Sequence, residues 1–433
     1  MTGALTDTCL PSSPLLPPFV PPFASPPESL VERFDADTFR PRLLTADDPA
    51  AIAALEELLD SGRVLAVHDR IEEQLAELVT ARQPRLRTDA EAVRRAADAV
   101  LDGVPSWRIG TWAWYPWSGR LVHLLPRELY RQVRTDRNRE KITREEQAGL
   151  LERRVGVIGL SVGNCAALTL AMEGVAGAFR LADFDRLSLS NLNRLRSGVA
   201  DLGVGKTVLA ARQLYEIDPY LDVEIYPRGL TEETIESFFA VDDSGRGLDL
   251  LVEECDTPWV KVAAREYARR AGVPVLMDTN DRGMLDVERF DHEPDRPLLH
   301  GRLAGVSSAD LRQLTPRDAV DLLLRMVDGD SMSSVMVEAV DQIGDTLSSW
   351  PQLASGVMLG GALVTDTARR ILLGHPVASG RYYTDLRELI PDAPIASTVL
   401  SAPTIPTIPT APSAPMPSQG REIAGATRGG HAG

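Results

Sequence analysis

The chain has 433 residues, 44% hydrophobic and 25% charged, an ordinary globular composition with room for two or three domains of roughly 150 residues each. Its net charge of -16 excludes nucleic acid or an anionic membrane surface as the main partner, because a phosphate-binding footprint needs a basic face. The three cysteines, Cys9, Cys165 and Cys255, form no C-x-x-C pair, which excludes a disulfide framework and a cysteine-based zinc site and points to a reducing, cytoplasmic setting.

Residues 1–28, with LPSSPLLPPFVPPFASPPE, read as a disordered arm, since closely spaced prolines sustain neither helix nor inner strand. Prolines also break the apolar stretch Leu15 to Phe23, and no basic residue precedes Arg33, so a signal peptide is not expected. No apolar run approaches the roughly 18 residues of a spanning helix. Residues 29–130 read as a small N-terminal α+β domain. Apolar residues at helical spacing predict helices over Ala50–Leu59, Arg70–Ala81 and Asp89–Leu101. The segment GTWAWYPWSGRLVHLL follows. Its aromatic residues could stack on a base, but the period-2 spacing of Trp112 and Trp114 favours one buried face of a strand. His123 in the next strand reads as a core or edge histidine rather than a base.

Arg131–Leu150 is charged and reads as a linker with a solvated face leading into a helix. Thr143 supplies its N-cap, and Glu146 completes a capping box. Residues 131–385 then alternate strand and helix, the pattern of a doubly wound, mainly parallel, Rossmann-like α/β sheet. It begins with RVGVIGLSVGNC: a β-branched run from Arg154, a turn carrying Gly159, Ser161 and Gly163, and a small-residue helix. A second strand ends on Asp183. Helix-terminal N–H groups facing phosphates, with an acid facing ribose hydroxyls, are how such a fold holds a nucleotide.

Further along come a helix over Lys206–Ile217, strands at Asp222–Tyr226 and Leu248–Val252, a helix over Trp259–Ala271 and a strand at Val273–Met277. Short helices near Ala309–Gln313 and Asp318–Met326 precede a Gly-rich apolar helix over Ser355–Leu373 that packs on the sheet or on a second subunit. The remainder, residues 386–433 with TIPTIPTAPSAPMPSQG, reads as a disordered tail.

The glycine pattern and Asp183 alone would suit an NAD(P)- or FAD-binding oxidoreductase. Three features point elsewhere. Asn191 and Arg194 follow the acid in SLSNLNRLRS, and a guanidinium suits the fork geometry of phosphate oxygens. Lys206 is one of three lysines, with Lys141 and Lys261, among 46 basic residues; a compact ammonium suits a point contact on a triphosphate. The surrounding ADLGVGKT lacks the first glycine and the preceding strand of a Walker A loop. Asp256, just past a strand's carboxyl end, is the expected magnesium holder, with Glu253 and Glu254 as alternatives.

At ADFDRLSLSNLNR, DLGVGK, DLLVEECDT and VPVLMD, over about Arg137 to Gly374, the chain resembles the ThiF/MoeB/E1-like adenylating enzymes. YPWSGRLVHLLP and RTDRNREKIT also resemble actinobacterial ThiF-type proteins that sometimes carry a downstream nitroreductase-like domain, which is not expected here. The resemblance implies ATP and Mg²⁺, with Asp183 on the ribose, Asp185 of the same D-x-D motif among the cofactor-binding residues, Asn191, Arg194 and Lys206 on the phosphates, and Asp256 on the metal. It implies a homodimer in which Arg139, or Arg137, crosses to the partner's site. The implied reaction adenylates a carboxylate, such as the C-terminus of a ubiquitin-like or sulfur-carrier protein or peptide. The chain departs from the family in its glycine turn and in having no cysteine after Cys255, so a thioester step and structural zinc are not expected. Besides the oxidoreductase, a non-catalytic nucleotide-binding scaffold stands as the other alternative.

Overall fold

The computed structural model describes residues 37–391 apart from 304, 312–315 and 328. The proline-rich arm and nearly all of the tail fall outside these residues. Of the tail, Leu386–Leu389 forms a helical turn, tied to the body by Arg282, which bonds Asp385 at 2.9 Å and Glu388 at 2.6 Å.

A seven-stranded sheet organises the larger part. Its strands are β5 (Arg154–Ile158), β6 (Ala178–Ala182), β7 (Asp222–Tyr226), β8 (Leu250–Glu253), β9 (Val275–Thr279), β10 (Met284–Glu288) and β11 (Gly380–Tyr383), in the order β11-β10-β9-β8-β5-β6-β7. Strands β5 to β9 pair parallel, while β10 and β11 add antiparallel strands at one edge. The chain therefore winds outward from β5 through β6 and β7, then returns past β5 to lay down β8. That reversal opens a crevice at the carboxyl ends of β5 and β8, where doubly wound sheets take their ligands.

The strands are Val- and Leu-rich runs because helices cover both faces. Val155, Val157, Leu181, Val252 and Leu276 are all fully buried. The Gly-rich helix, Ala354–Leu372, packs on this sheet and on the helix Gly163–Glu173. Its glycines allow the close approach: a Cβ at Gly361 would lie 2.7 Å from the Cys165 sulfur.

The N-terminal residues build a second sheet, β1-β3-β4-β2, from β1 (Arg42–Thr45), β2 (Ala66–Asp69), β3 (Thr111–Tyr115) and β4 (Arg120–Leu124). Helices form at Pro49–Asp60, Ile71–Arg82 and Ala90–Leu101, close to the predicted spans. Trp112 and Trp114 share one face of β3 and close a core with Leu44, Leu55, Leu58 and Leu121. The opposite face is buried too: Ala113 and Tyr115 join the core of the large sheet, and the Tyr115 hydroxyl donates to the carbonyl of Tyr215 at 3.2 Å. His123 is fully buried, bonded to Asp69 (2.9 Å) and the Ile109 carbonyl (2.7 Å) and stacked on Trp112, a satisfied core histidine.

The charged run after residue 130 is only in part a solvated linker: Arg137, Arg139, Glu140 and Lys141 are exposed, but its first part is not. Arg127–Arg134 is a helix. Arg131 is buried, bonding the fully buried Asp218 at 2.9 Å, and Arg134 donates to the carbonyls of Ala171 and Met172. A buried carboxylate needs paired cations, and the two arginines fix the small sheet to the large one. The helix that follows, Arg144–Leu150, carries the Thr143–Glu146 capping box. The described residues up to Leu389 form one compact unit. No helix among them is long and apolar enough to cross a membrane.

Candidate active site

The crevice is built from the exits of β5, β6 and β8. At the β5 exit Gly159 has φ +82°, and a Cβ there would lie 2.6 Å from the Glu254 backbone. Glycine is required because two strand exits nearly touch. Gly163 serves similarly, since its Cβ would meet Val157 at 2.8 Å. The helix from Gly163 points its N-terminal N–H groups toward the same end of the sheet, a favourable place for anionic oxygens.

Asp183, at the end of β6, is 9% exposed. Its two oxygens accept from the backbone N–H groups of Leu160 (2.6 Å) and Asp185 (2.7 Å), locking the β5 and β6 exits together. Burial raises its carboxyl above the usual range against the pull of Lys206 and the two amides. Each oxygen keeps a further lone pair for a hydroxyl donor.

Lys206 opens the helix Lys206–Ile217 and is buried, its ammonium 2.7 Å from Asp185. Asn191 accepts from the N–H of Ser188, the N-cap of the short helix Leu189–Asn193, through its side-chain oxygen and so completes a capping box. Arg194 reaches back across the crevice, donating to Ser161 at 2.9 Å and to the Asn193 side chain at 2.8 Å. Burial lowers its pKa, and the nearby Asp256 charge opposes that.

Of the three acids at and beyond the end of β8, Glu253 and Glu254 are buried and Asp256 is exposed. Glu253 lies in an ion network with Lys261 (3.1 Å), Arg265 and, through Arg265, Glu288. It also accepts the Cys255 N–H at 2.9 Å, so the network sets the loop that carries Asp256. The protein surrounding that loop raises the Asp256 carboxyl, despite its open outer face, while Lys261, Lys206 and Arg194 pull it down. Arg194, Lys206 and Asp256 are thus gathered within electrostatic reach. Arg139 is not among them: it bonds Asp136 and lines a separate depression with Arg127 and Arg144.

Sequence reasoning passed over Asp278, Lys261 and Arg265. Asp278, in β9, is 5% exposed, and its N–H donates to Glu254 at 2.8 Å. Burial beside Glu254 raises its carboxyl to about 7, and Glu254 itself lies well above the usual range. The one available signal for Lys261 was the rarity of lysine in the chain. Asp278 closes the segment VPVLMD that carries part of the resemblance, but its burial could not be read there, because it depends on Gly360, where a Cβ would fall within 2 Å of its carboxylate.

A parallel sheet with a glycine turn at its reversal point, acids at two strand ends and convergent cations defines a doubly wound, Rossmann-like α/β protein. Residues 135–379 match the ThiF family, and the chain belongs to that family. An uncharacterized protein of Mycobacterium tuberculosis is 46% identical over 275 residues, covering 64% of this chain and 38% of that protein. The sulfur carrier protein adenylyltransferase of Thermus thermophilus is 29% identical over 34% of this chain and 51% of its own length. The molybdopterin-synthase adenylyltransferase of Haemophilus influenzae is 26% identical over 33% of this chain and 56% of its own. The chain thus spans between 38% and 56% of these relatives. Among solved structures, Escherichia coli tRNA N6-threonylcarbamoyladenosine dehydratase aligns with a TM-score of 0.40 and 17% identity, over 57% of this chain and 96% of that one.

Proposed function

We propose that the chain adenylates a carboxylate at the C-terminus of a small carrier protein or peptide, using ATP and releasing pyrophosphate. The observation that carries this reading is the gathering of Arg194, Lys206 and the exposed Asp256 at the crevice between β5 and β8. A hydride-transfer site gains little from a second cation there, whereas a triphosphate gains more.

In this reading the ribose lies at Asp183, with Asp185 shaping the loop beside it and Asn191 toward the phosphates. The phosphates run from the Gly159–Ser161–Gly163 turn toward Arg194 and Lys206. Both cations are held by polar groups, Ser161 and Asn193 for one and Asp185 for the other, which phosphate oxygens can replace. An acceptor carboxylate oxygen attacks the α-phosphorus, an O–P bond forms, and the bond to the β-phosphate oxygen breaks. Catalysis is then mainly positioning and charge neutralisation, and no cysteine nucleophile is needed.

A single exposed carboxylate fits magnesium, which takes one or two carboxylates together with phosphate oxygens and water. Asp256 would hold it, and the ion would neutralise triphosphate charge. The family further suggests a homodimer in which the partner's Arg139 completes the site, acting in the cytoplasm.

The test is pyrophosphate–ATP exchange with candidate carrier peptides, run against Lys206→Ala. Exchange that depends on a carrier and collapses in the variant supports the reading. Exchange untouched by the substitution sinks the site assignment. Tight ATP binding without exchange for any carrier would favour a nucleotide-binding scaffold.

A further inference from the structure

Beside Asp256, the carboxyl ends of β8 and β9 open into a cavity whose apolar wall includes Met277, Met284, Met332, Met336 and Trp350. Methionines make an adaptable surface suited to an aliphatic stem. Beside the hydroxyls of Thr279, Ser331 and Tyr383, the polar wall carries several buried oxygens that meet no donor. Asp278 lines it, and neither of its carboxylate oxygens meets a protein donor apart from the proton that Glu254 can hold. One shared proton satisfies one oxygen and leaves the other. The side-chain oxygens of Asn280 and Gln352, on the same wall, are also buried without a donor.

Positive charge is scarce here. Lys261 is the only cation among the described lining residues, and both Glu253 oxygens already hold it, at 3.1 and 3.2 Å. Asp256 and Asp281 add carboxylates, the latter accepting the N–H and hydroxyl of Ser333. An entering anion meets like charge, and a purely apolar group leaves the buried acceptors unsatisfied. A cationic head with several N–H donors on an aliphatic stem meets both walls.

The cavity also abuts the phosphate side of the crevice. Gln352 accepts from the Asn193 side chain at 2.9 Å, and Asn193 accepts from Arg194 at 2.8 Å. Glu254, the partner of Asp278, is two residues from Asp256, at most about 7 Å of extended chain. A ligand filling the cavity therefore presents its neighbouring atoms to Asp256.

We propose that this cavity is a specificity pocket for the acceptor, selecting a lysine or arginine at or next to the carboxylate that is activated. This rests on the adenylation reading for the role of the neighbouring carboxylate. The cation is recognised by Asp278, with Asn280 and Gln352 as neutral acceptors, and its stem lies among the methionines.

The test is calorimetric titration of the full chain with short peptides that have a free C-terminal carboxylate. The set differs only in its last or penultimate residue: lysine, arginine, the neutral isostere norleucine, or glutamate. Lysine and arginine peptides should bind about tenfold or more tightly than norleucine, the factor that about 1.4 kcal/mol of binding energy produces, and glutamate least. In Asp278→Asn the lysine-to-norleucine ratio should fall close to one, and an ATP titration of the same variant reports that it is folded. Equal binding of lysine and norleucine by the unaltered chain, no binding of any peptide, or a preference that survives in Asp278→Asn each overturns the proposal. Weakened ATP binding with an unchanged peptide preference also overturns it, and would assign the pocket to the nucleobase. Pyrophosphate exchange on the same peptides separates the two readings: exchange without a lysine preference refutes the pocket alone, and a lysine preference without exchange refutes adenylation alone.

Discussion

Asp278→Asn should stabilise the protein at about pH 8 and have little effect near pH 4. The unfolded chain releases this proton near 3.8, while burial beside Glu254 holds the folded carboxyl to about 7. Between those values the native state keeps a proton that the unfolded state has lost, so stability falls as pH rises and the fall is complete above about 7. The difference corresponds to a ceiling of about 4 kcal/mol, at about 1.4 kcal/mol per pH unit. Sharing of the proton with Glu254 makes an effect of about 2 kcal/mol the working expectation. Asparagine keeps the volume and an oxygen facing Glu254 and removes the charge. Glu254 contributes a fall of its own to both proteins, so the quantity to read is the difference between them. Urea unfolding of both at about pH 5 and pH 8 gives that difference directly. A gap that stays constant with pH, or that favours the unaltered chain as pH rises, would refute a buried, raised Asp278.

Lys206→Ala should lower pyrophosphate exchange by about 100- to 1,000-fold, the usual loss when one charge-stabilising donor is removed, with the fold retained by circular dichroism. Gly159→Ala forces a side chain into φ +82° and to within 2.6 Å of the Glu254 backbone; chemical denaturation should register a loss above about 2 kcal/mol, with ATP binding lost in calorimetry. Glu253→Gln leaves Lys261 and Arg265 without one of their buried acids and should cost about 3–5 kcal/mol in urea unfolding. Tyr115→Phe removes only the bond to the Tyr215 carbonyl, so it should cost about 1 kcal/mol and leave exchange intact; an equally large loss of exchange would place the small sheet in the chemistry.

Much of the fold is legible in the sequence because its signals are local. The run from Arg154, the turn at Gly159 and the small-residue helix after it report strand, turn and helix within a few residues. The capping box at Thr143 and the period-2 tryptophans of β3 are likewise short-range. The charged run around Arg131 misleads for the opposite reason. Its cations meet Asp218, 87 positions away, and nothing in the local pattern distinguishes an arginine facing water from one facing a buried carboxylate.

The sequence by itself determined the α/β class and the family, and it singled out Asp183, Asn191, Arg194, Lys206 and Asp256 as the residues proposed to carry nucleotide chemistry. Backbone conformation and residue chemistry are properties of short windows, so they survive reading in one dimension. The tertiary structure alone decided what those groups touch. It sets Lys206 on Asp185 and Arg194 on Ser161, turns Glu253 and Glu254 inward while Asp256 faces out, and encloses Asp278 beneath Gly360. Burial and the cost of desolvating a charge depend on every atom packed around it, and those atoms come from strands and helices scattered along the chain.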